Sequence, residues 1–257
     1  RDLKAALLVT DRGYLNVQRK WRREVAEAVS VQMVEVESDV IVPVETASEK
    51  EEYAARTLRP KLNRHLDYFL RPFSQITLSE KFTGRDCKRI AGEGLDWSSS
   101  EILLAGLKID RSVARSPWRG GRTQALRRLK LFCRRDLQTY ARERNLPTRE
   151  VLSGMSPYLH FGQISALEAA LTVRKYLAGS LREPVEAYLE ELIVRRELAM
   201  NFCHFNPGYD SYQRAVPRWA RESLEKHAGD VRPFLYSLKE LERAATEDEI
   251  WNACQLE

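Results

Sequence analysis

The sequence predicts an α/β segment holding part of a parallel sheet, followed by an all-helical region. Three observations carry this. An apolar run, a helical pattern and a second apolar run succeed one another at the start of the chain, which is the order of a βαβ unit. From Thr123 onward nearly every window has the spacing of an amphipathic helix. Between the two lies an irregular stretch marked by Gly84, Gly92, Gly94, Ser98-Ser99-Ser100 and Pro117. The expected division is therefore residues 1–73 α/β, 74–122 a connection and 123–257 helical.

Leu3 to Thr10 is a short apolar run that ends at Thr10-Asp11-Arg12-Gly13 and reads as a buried strand followed by a loop. Val17, Trp21, Val25 and Val29 mark a helix, and Gln32 to Val36 a second strand, with Val40-Ile41-Val42-Pro43 after it. Glu49 to Leu70 has helical spacing, with Tyr53, Leu58, Leu62, Leu66 and Phe69 as core candidates. Beyond the connection the expected helices are Thr123 to Asn145, Ser165 to Ala178, Pro184 to Phe202, Pro217 to Ala228 and Ser237 to Ala244. The last opens with Ser237 and Glu240 at the spacing of a capping box.

The 257 residues are 43% hydrophobic and 31% charged, which excludes wholesale disorder. No apolar run approaches the roughly 20 residues of a membrane span, and no signal peptide is visible. Cys87, Cys133, Cys203 and Cys254 lack C-x-x-C spacing, so neither a metal site nor a disulfide framework is expected. That usage fits a reducing compartment, cytoplasmic or nuclear. The chain lacks an initiator methionine, and Ile250 to Glu257 reads as the middle of a helix, so a piece of a longer protein is expected. The net charge of +5 is unevenly placed: Lys108 to Arg149 holds thirteen Lys/Arg against three acids, a net +10. Arg127, Arg128, Arg134 and Arg135 share a helix with Leu126, Leu129, Leu131 and Leu137. Such a field attracts polyanions, nucleic acid above all, although a solvated helical face has the same look.

Four stretches carry chemistry. Leu152-Ser153-Gly154-Met155-Ser156 is a small-residue turn feeding a helix after Pro157, suited to a phosphate or to simple capping. Glu190 to Cys203 is an apolar helix in which Glu191 and Arg195 stand four apart, as a surface ion pair or as charges in a cleft. Asn206 to Tyr212 is a tight turn with two tyrosines. Trp251 stands beside Asn252 and Gln255, where a tryptophan is most simply core.

In order and spacing these stretches resemble the photolyase/cryptochrome family, nearest to its class II branch of cyclobutane pyrimidine dimer photolyases. The phrases are "IVPVETASEKEEYAARTLRPKL", "SPYLHFGQIS", "EELIVRRELAMNFCHFNPGYDSY" and "IWNACQLE". The resemblance implies a Rossmann-like α/β domain, here partial, and an all-α FAD-binding domain, also partial. It implies that Leu152, Ser153, Gly154, Met155 and Ser156 wrap the FAD pyrophosphate, with Tyr140 and Tyr188 also holding the cofactor. Glu191 would hydrogen-bond a flipped thymine dimer, with Arg195, Asn252 and Gln255 on the substrate or strand, Arg127 and Arg128 on phosphates, and Trp251 in an electron chain to the flavin. A second antenna chromophore, of deazaflavin or folate type, belongs to the same expectation, as do damaged double-stranded DNA as partner, a monomer and no membrane. The implied activity is light-driven splitting of dimers by electron transfer from reduced FAD. The rivals are a cryptochrome-like flavin photoreceptor without repair and a non-catalytic nucleic-acid-binding module. The family continues past the position of Glu257 with a segment rich in His, Gly, Met, Arg and Trp, and begins with further strands, none of which is in this sequence. The piece alone is therefore expected to be inactive.

Overall fold

The computed structural model describes residues 5–74, 76–77, 104–112 and 116–256. The expected strand start at Leu3, Cys87 and most of the 74–122 connection, with Gly84, Gly92, Gly94 and the triple serine, lie outside the described residues. The chain divides into two compact units, Arg1–Pro207 and Gly208–Glu257.

In the first unit β1 (Leu7–Asp11) and β2 (Gln32–Val36) pair in parallel, Leu7 opposite Gln32 and Asp11 opposite Val36, with α1 (Asn16–Ala28) between them. The βαβ order is as expected, but the strand is not buried. Leu7 and Val9 are 47% and 56% exposed, and Val17, Trp21 and Val25 of α1 are exposed as well. Parallel strands lose their alternation only when both faces carry a layer. The sheet has two strands among the described residues, and none of those residues lays such a cover on the face with Leu7 and Val9.

After β2 the chain turns inward. Val40, Ile41 and Val42 are buried in a loop, followed by α2 (Val44–Ala47) and α3 (Ala55–Phe69). A helix from Glu49 was expected, with Tyr53 in the core. The helix instead begins at Ala55, and Tyr53 is exposed. Tertiary bonds explain the late start. Asn201 accepts from the Glu52 backbone N–H at 2.7 Å and donates to the Lys50 carbonyl at 3.1 Å, so these backbone groups are spent outside a helix. Leu58 and Leu62 are fully buried, as expected.

The helical region contributes α4 (Arg122–Arg135), α5 (Leu137–Glu143), α6 (Ser156–His160), α7 (Ala166–Arg174) and α8 (Arg182–Leu189). A π-helical turn (Glu190–Arg195) and α9 (Arg196–Phe205) follow without a break. The single helix expected over Thr123 to Asn145 breaks at Asp136, where φ opens to −112°. Asp136 competes poorly inside a helix, and its carbonyl starts the next turn by accepting from Thr139 and Tyr140. One core joins Leu58 and Leu62 of α3 to Leu129, Phe132, Leu137, Val173, Val185 and Ile193. A second small cluster packs Tyr14, Val40 and Val44 against Met200, Cys203 and Phe205 of α9.

The second unit holds α10 (Tyr212–Ala215), α11 (Arg218–Lys226), α12 (Leu238–Glu242) and α13 (Glu249–Leu256). The capping box at Ser237 is present: its hydroxyl accepts from the Glu240 N–H and its N–H donates to the Glu240 carboxylate at 2.7 Å. Asp248 caps α13 by accepting from the N–H groups of Ile250 and Trp251.

Candidate functional site

The turn between α5 and α6 is built around Gly154, which has φ +63°, a conformation that L side chains resist. Ser153 organises it. Its hydroxyl accepts from the Met155 N–H at 3.3 Å and bonds the Tyr188 hydroxyl at 3.2 Å, and its carbonyl accepts from Arg128 Nε at 3.1 Å. Met155 is buried, whereas Leu152 and Ser156 are exposed. The helix after Pro157 forms as expected, with the proline in its first turn.

Tyr188 bonds this turn, and Tyr140 stands beside Tyr188. Their rings are 5.5 Å apart, and each stands against Phe132, at 5.1 Å and 5.6 Å. Burial pushes the Tyr188 phenol up to about 12 and raises Tyr140 against the opposing pull of Arg144, so both are neutral phenols at ordinary pH. The Arg144 guanidinium stands 5.5 Å from the centre of the Tyr140 ring. It donates to the Glu191 carboxylate at 3.0 Å and to the Ala187 carbonyl at 3.3 Å. One unbroken run of contacts therefore leads from Ser153 through Tyr188, Tyr140 and Arg144 to Glu191.

Glu191 and Arg195 do not pair. Arg195 reaches Glu190 instead, at 3.8 Å, and Glu190 also holds Arg59 of α3 through two bonds of 2.9 and 2.7 Å. The reason is the helix type. In a π turn the repeat is i to i+5, so residue 195 falls over 190 and not over 191. The expectation of one α-helical face was wrong for this segment.

The two arginines expected on phosphates have different surroundings. Arg127 is exposed and has no polar partner among the described residues, while Arg128 is turned onto the Ser153 turn. In the second unit Trp251 is 45% exposed rather than core, its indole N–H 3.5 Å from the Leu241 carbonyl. Asn252 is spent internally: its carbonyl oxygen accepts from the Thr246 N–H and hydroxyl, and its amide donates to the Thr246 carbonyl. Gln255 is exposed and lies 3.5 Å from the Glu242 carbonyl.

Residues 1–78 match the family model described as DNA photolyase. A deoxyribodipyrimidine photo-lyase of Methanothermobacter thermautotrophicus is 45% identical over 253 residues, which are 98% of this chain and 53% of that protein. A protein of the same description from Potorous tridactylus is 38% identical over 253 residues, 97% of this chain and 46% of its own length. By sequence, nearly the whole of this chain is similar to photolyases. It spans about half the length of the curated relatives it matches. The crystal structure of a bacterial class III photolyase from Agrobacterium tumefaciens superposes with a TM-score of 0.56 over 98% of this chain and 50% of that one, at 18% identity, a likeness of fold.

Four further residues join the site or its support. Arg144 and Glu190 were legible only as members of charged patches, since their partners stand 47 and 131 residues away. Glu197 is 3% exposed and accepts the backbone N–H of Ile41 at 2.6 Å and of Val42 at 3.4 Å. Asn201, one turn on, holds Lys50 and Glu52. Their 197/201 spacing on an apolar helix was the available signal that α9 carries a polar seam. Among the described residues no group of three metal-binding side chains occurs, and no helix is long and apolar enough to cross a membrane. Cys133, Cys203 and Cys254 are free thiols.

Proposed function

We propose that the protein carrying this chain is a flavin-dependent deoxyribodipyrimidine photo-lyase that splits cyclobutane pyrimidine dimers in duplex DNA. The observation that supports it most is the 45% identity, over nearly the whole chain, to a relative of that description. The geometry agrees. Ser153 and Arg128, with the exposed Ser156 hydroxyl, form a donor set at one turn that suits an anionic diphosphate, and Gly154 keeps that turn free of a side chain. Tyr188 bonds the turn as a neutral phenol, with Tyr140 packed against it.

Bound in its reduced form, FAD would supply the light-driven electron. The chain's own residues bind and orient. Arg144 holds the Glu191 carboxylate at the end of the contact run, where it can accept the N3–H of a flipped thymine. Extrusion of a dimer costs less than extrusion of an intact pair, because its stacking is already impaired. Arg127, with the exposed Lys130 and Arg134 on the same helix, would bear on phosphates.

The test is an absorbance spectrum of the full-length protein followed by repair of a dimer-containing oligonucleotide under blue light. Bound flavin with light-dependent repair is expected. Bound flavin with no repair would make the protein a photoreceptor, and no flavin at all would leave a nucleic-acid-binding module.

A further inference from the structure

We infer that Arg128 is the positioning residue of the turn that receives the FAD diphosphate, and that Trp118 holds its guanidinium in place. This rests on the proposed flavin binding. Arg127 and Arg128 are neighbours in sequence and opposite in duty, since α4 presents the first to solvent and the second to the turn. The Nε–H of Arg128 donates to the Ser153 carbonyl at 3.1 Å. Its guanidinium carbon lies 3.8 Å from the centre of the Trp118 ring, well within cation–π range. The same group lies against the backbone of Gly154: a Cβ there would stand 2.2 Å from Nε and 2.6 Å from Nη2. Glycine is thus favoured by its φ, and a side chain there would displace the arginine resting on it.

The platform is itself braced. Trp118 packs edge-on to Tyr158 with ring centres 6.3 Å apart, and the Tyr158 hydroxyl donates to the Arg119 carbonyl at 2.9 Å. The Gly121 N–H donates to Gln163 at 2.8 Å, so the stretch of chain bearing Trp118 is tied to the loop between α6 and α7. Among the described residues Arg128 has one hydrogen-bond acceptor, the Ser153 carbonyl, so most of its five N–H donors are left for an anion. A guanidinium stays charged at every working pH, and its planar fork both stacks and bonds, which an ammonium cannot do. Arg128 therefore fixes the shape of the turn before the cofactor arrives and places a charge beside the diphosphate.

The experiment uses the full-length protein, stripped of flavin and titrated with FAD, while flavin fluorescence reports binding. Arg128→Met keeps a chain on Trp118 but removes the donors, and Arg128→Lys keeps the charge but not the fork. Both should weaken FAD binding about tenfold or more, with the far-ultraviolet circular dichroism unchanged. Riboflavin, which lacks the diphosphate, should bind wild type and variants alike. Wild-type affinity in Arg128→Met overturns the inference, and wild-type affinity in Arg128→Lys reduces the residue to a charge and overturns the positioning role. Should Arg128→Met fail to fold, Trp118→Leu leaves the arginine in place. It is expected to weaken FAD about threefold, and no loss overturns the inference. A wild type that takes up no FAD overturns the flavin reading as well, so the two failures are told apart by the wild-type titration.

Discussion

Glu197 has no assigned part in chemistry, yet it sets a measurable property. Burial pushes its carboxyl up to about 7, and the backbone bonds from Ile41 and Val42 and the charge of Arg196 only partly oppose this. In the unfolded chain the group titrates near 4.3. Between those values the folded form keeps a proton that the unfolded form releases. The associated stability is complete below the unfolded value and is lost as pH rises through about 7. At 1.36 kcal/mol per pKa unit the swing is about 4 kcal/mol. Glu197→Gln should flatten the rise of the thermal midpoint on going from pH 8 to pH 5. An unchanged slope would assign that dependence to another group. Glu52 has the opposite sign. Burial disfavours its charge, but hydrogen bonds from Lys61, Thr57 and Ser48 prevail and hold it at about 2. Its stability is present above the unfolded value and fades as pH falls through about 2. At Glu191, exchange to Gln should slow dimer splitting in the full-length protein while flavin content stays near normal. Undiminished repair would remove Glu191 from the substrate site.

Elements were readable where periodicity alone decides them and unreadable where a distant partner does. The βαβ order, the Ser237 box and the helix after Pro157 followed from local rules. The late start of α3 did not, because Asn201 lies 149 residues beyond the Glu52 N–H it binds. Burial of β1 was misjudged for a related reason: an apolar run states what a strand could cover, not what covers it. The small-residue turn and Glu191 were legible as motifs, but the arginines that hold them were not, since charge runs look alike whether they face water or a carbonyl. The π turn is the sharpest case, as nothing in Glu190 to Arg195 departs from α-helical spacing. It makes a prediction of its own. Removing one residue, Ile193, would restore an α-helix and turn α9 by about 100° relative to α8. The Glu197 bonds to Ile41 and Val42 and the Arg144 bond to Glu191 could not then both persist. The variant should lose several degrees of thermal midpoint and most of its repair activity. A single core truncation, Leu62→Ala, should cost about 2–5 kcal/mol in a denaturant melt with no shift in flavin absorption.

At the scale of the molecule, charge and electron flow are the properties to measure. The net +10 of Lys108 to Arg149 predicts DNA binding that weakens steeply with salt, as counterions return to the phosphates. With Arg128 facing the turn, the slope should respond to Arg127→Glu and Arg134→Glu, each lowering it by about one ion, while Arg128→Met changes it little. Equal slopes in all three would return the stretch to a solvated face. Trp251 offers a second measurement. Its partial exposure leaves little packing for Trp251→Phe to disturb, so the fold should survive. If the indole passes electrons, photoreduction of oxidised flavin should drop sharply, and repair by chemically reduced protein should remain. Equal photoreduction would leave Trp251 with no such role.

The π turn also bears on how this chain is to be compared with its relatives. A turn of that kind is an α-helix that has accepted one residue more than its ladder can count. A relative whose helix is regular there, and whose flanking helices start and end at the same places, lacks that residue. Matching the two without a gap would displace everything after Arg195 by one position and set Arg196 and Glu197 beside the wrong counterparts. Against such a relative the gap belongs between Glu190 and Arg195, and residues compared across it should be paired by the backbone they hold rather than by their distance from Glu191.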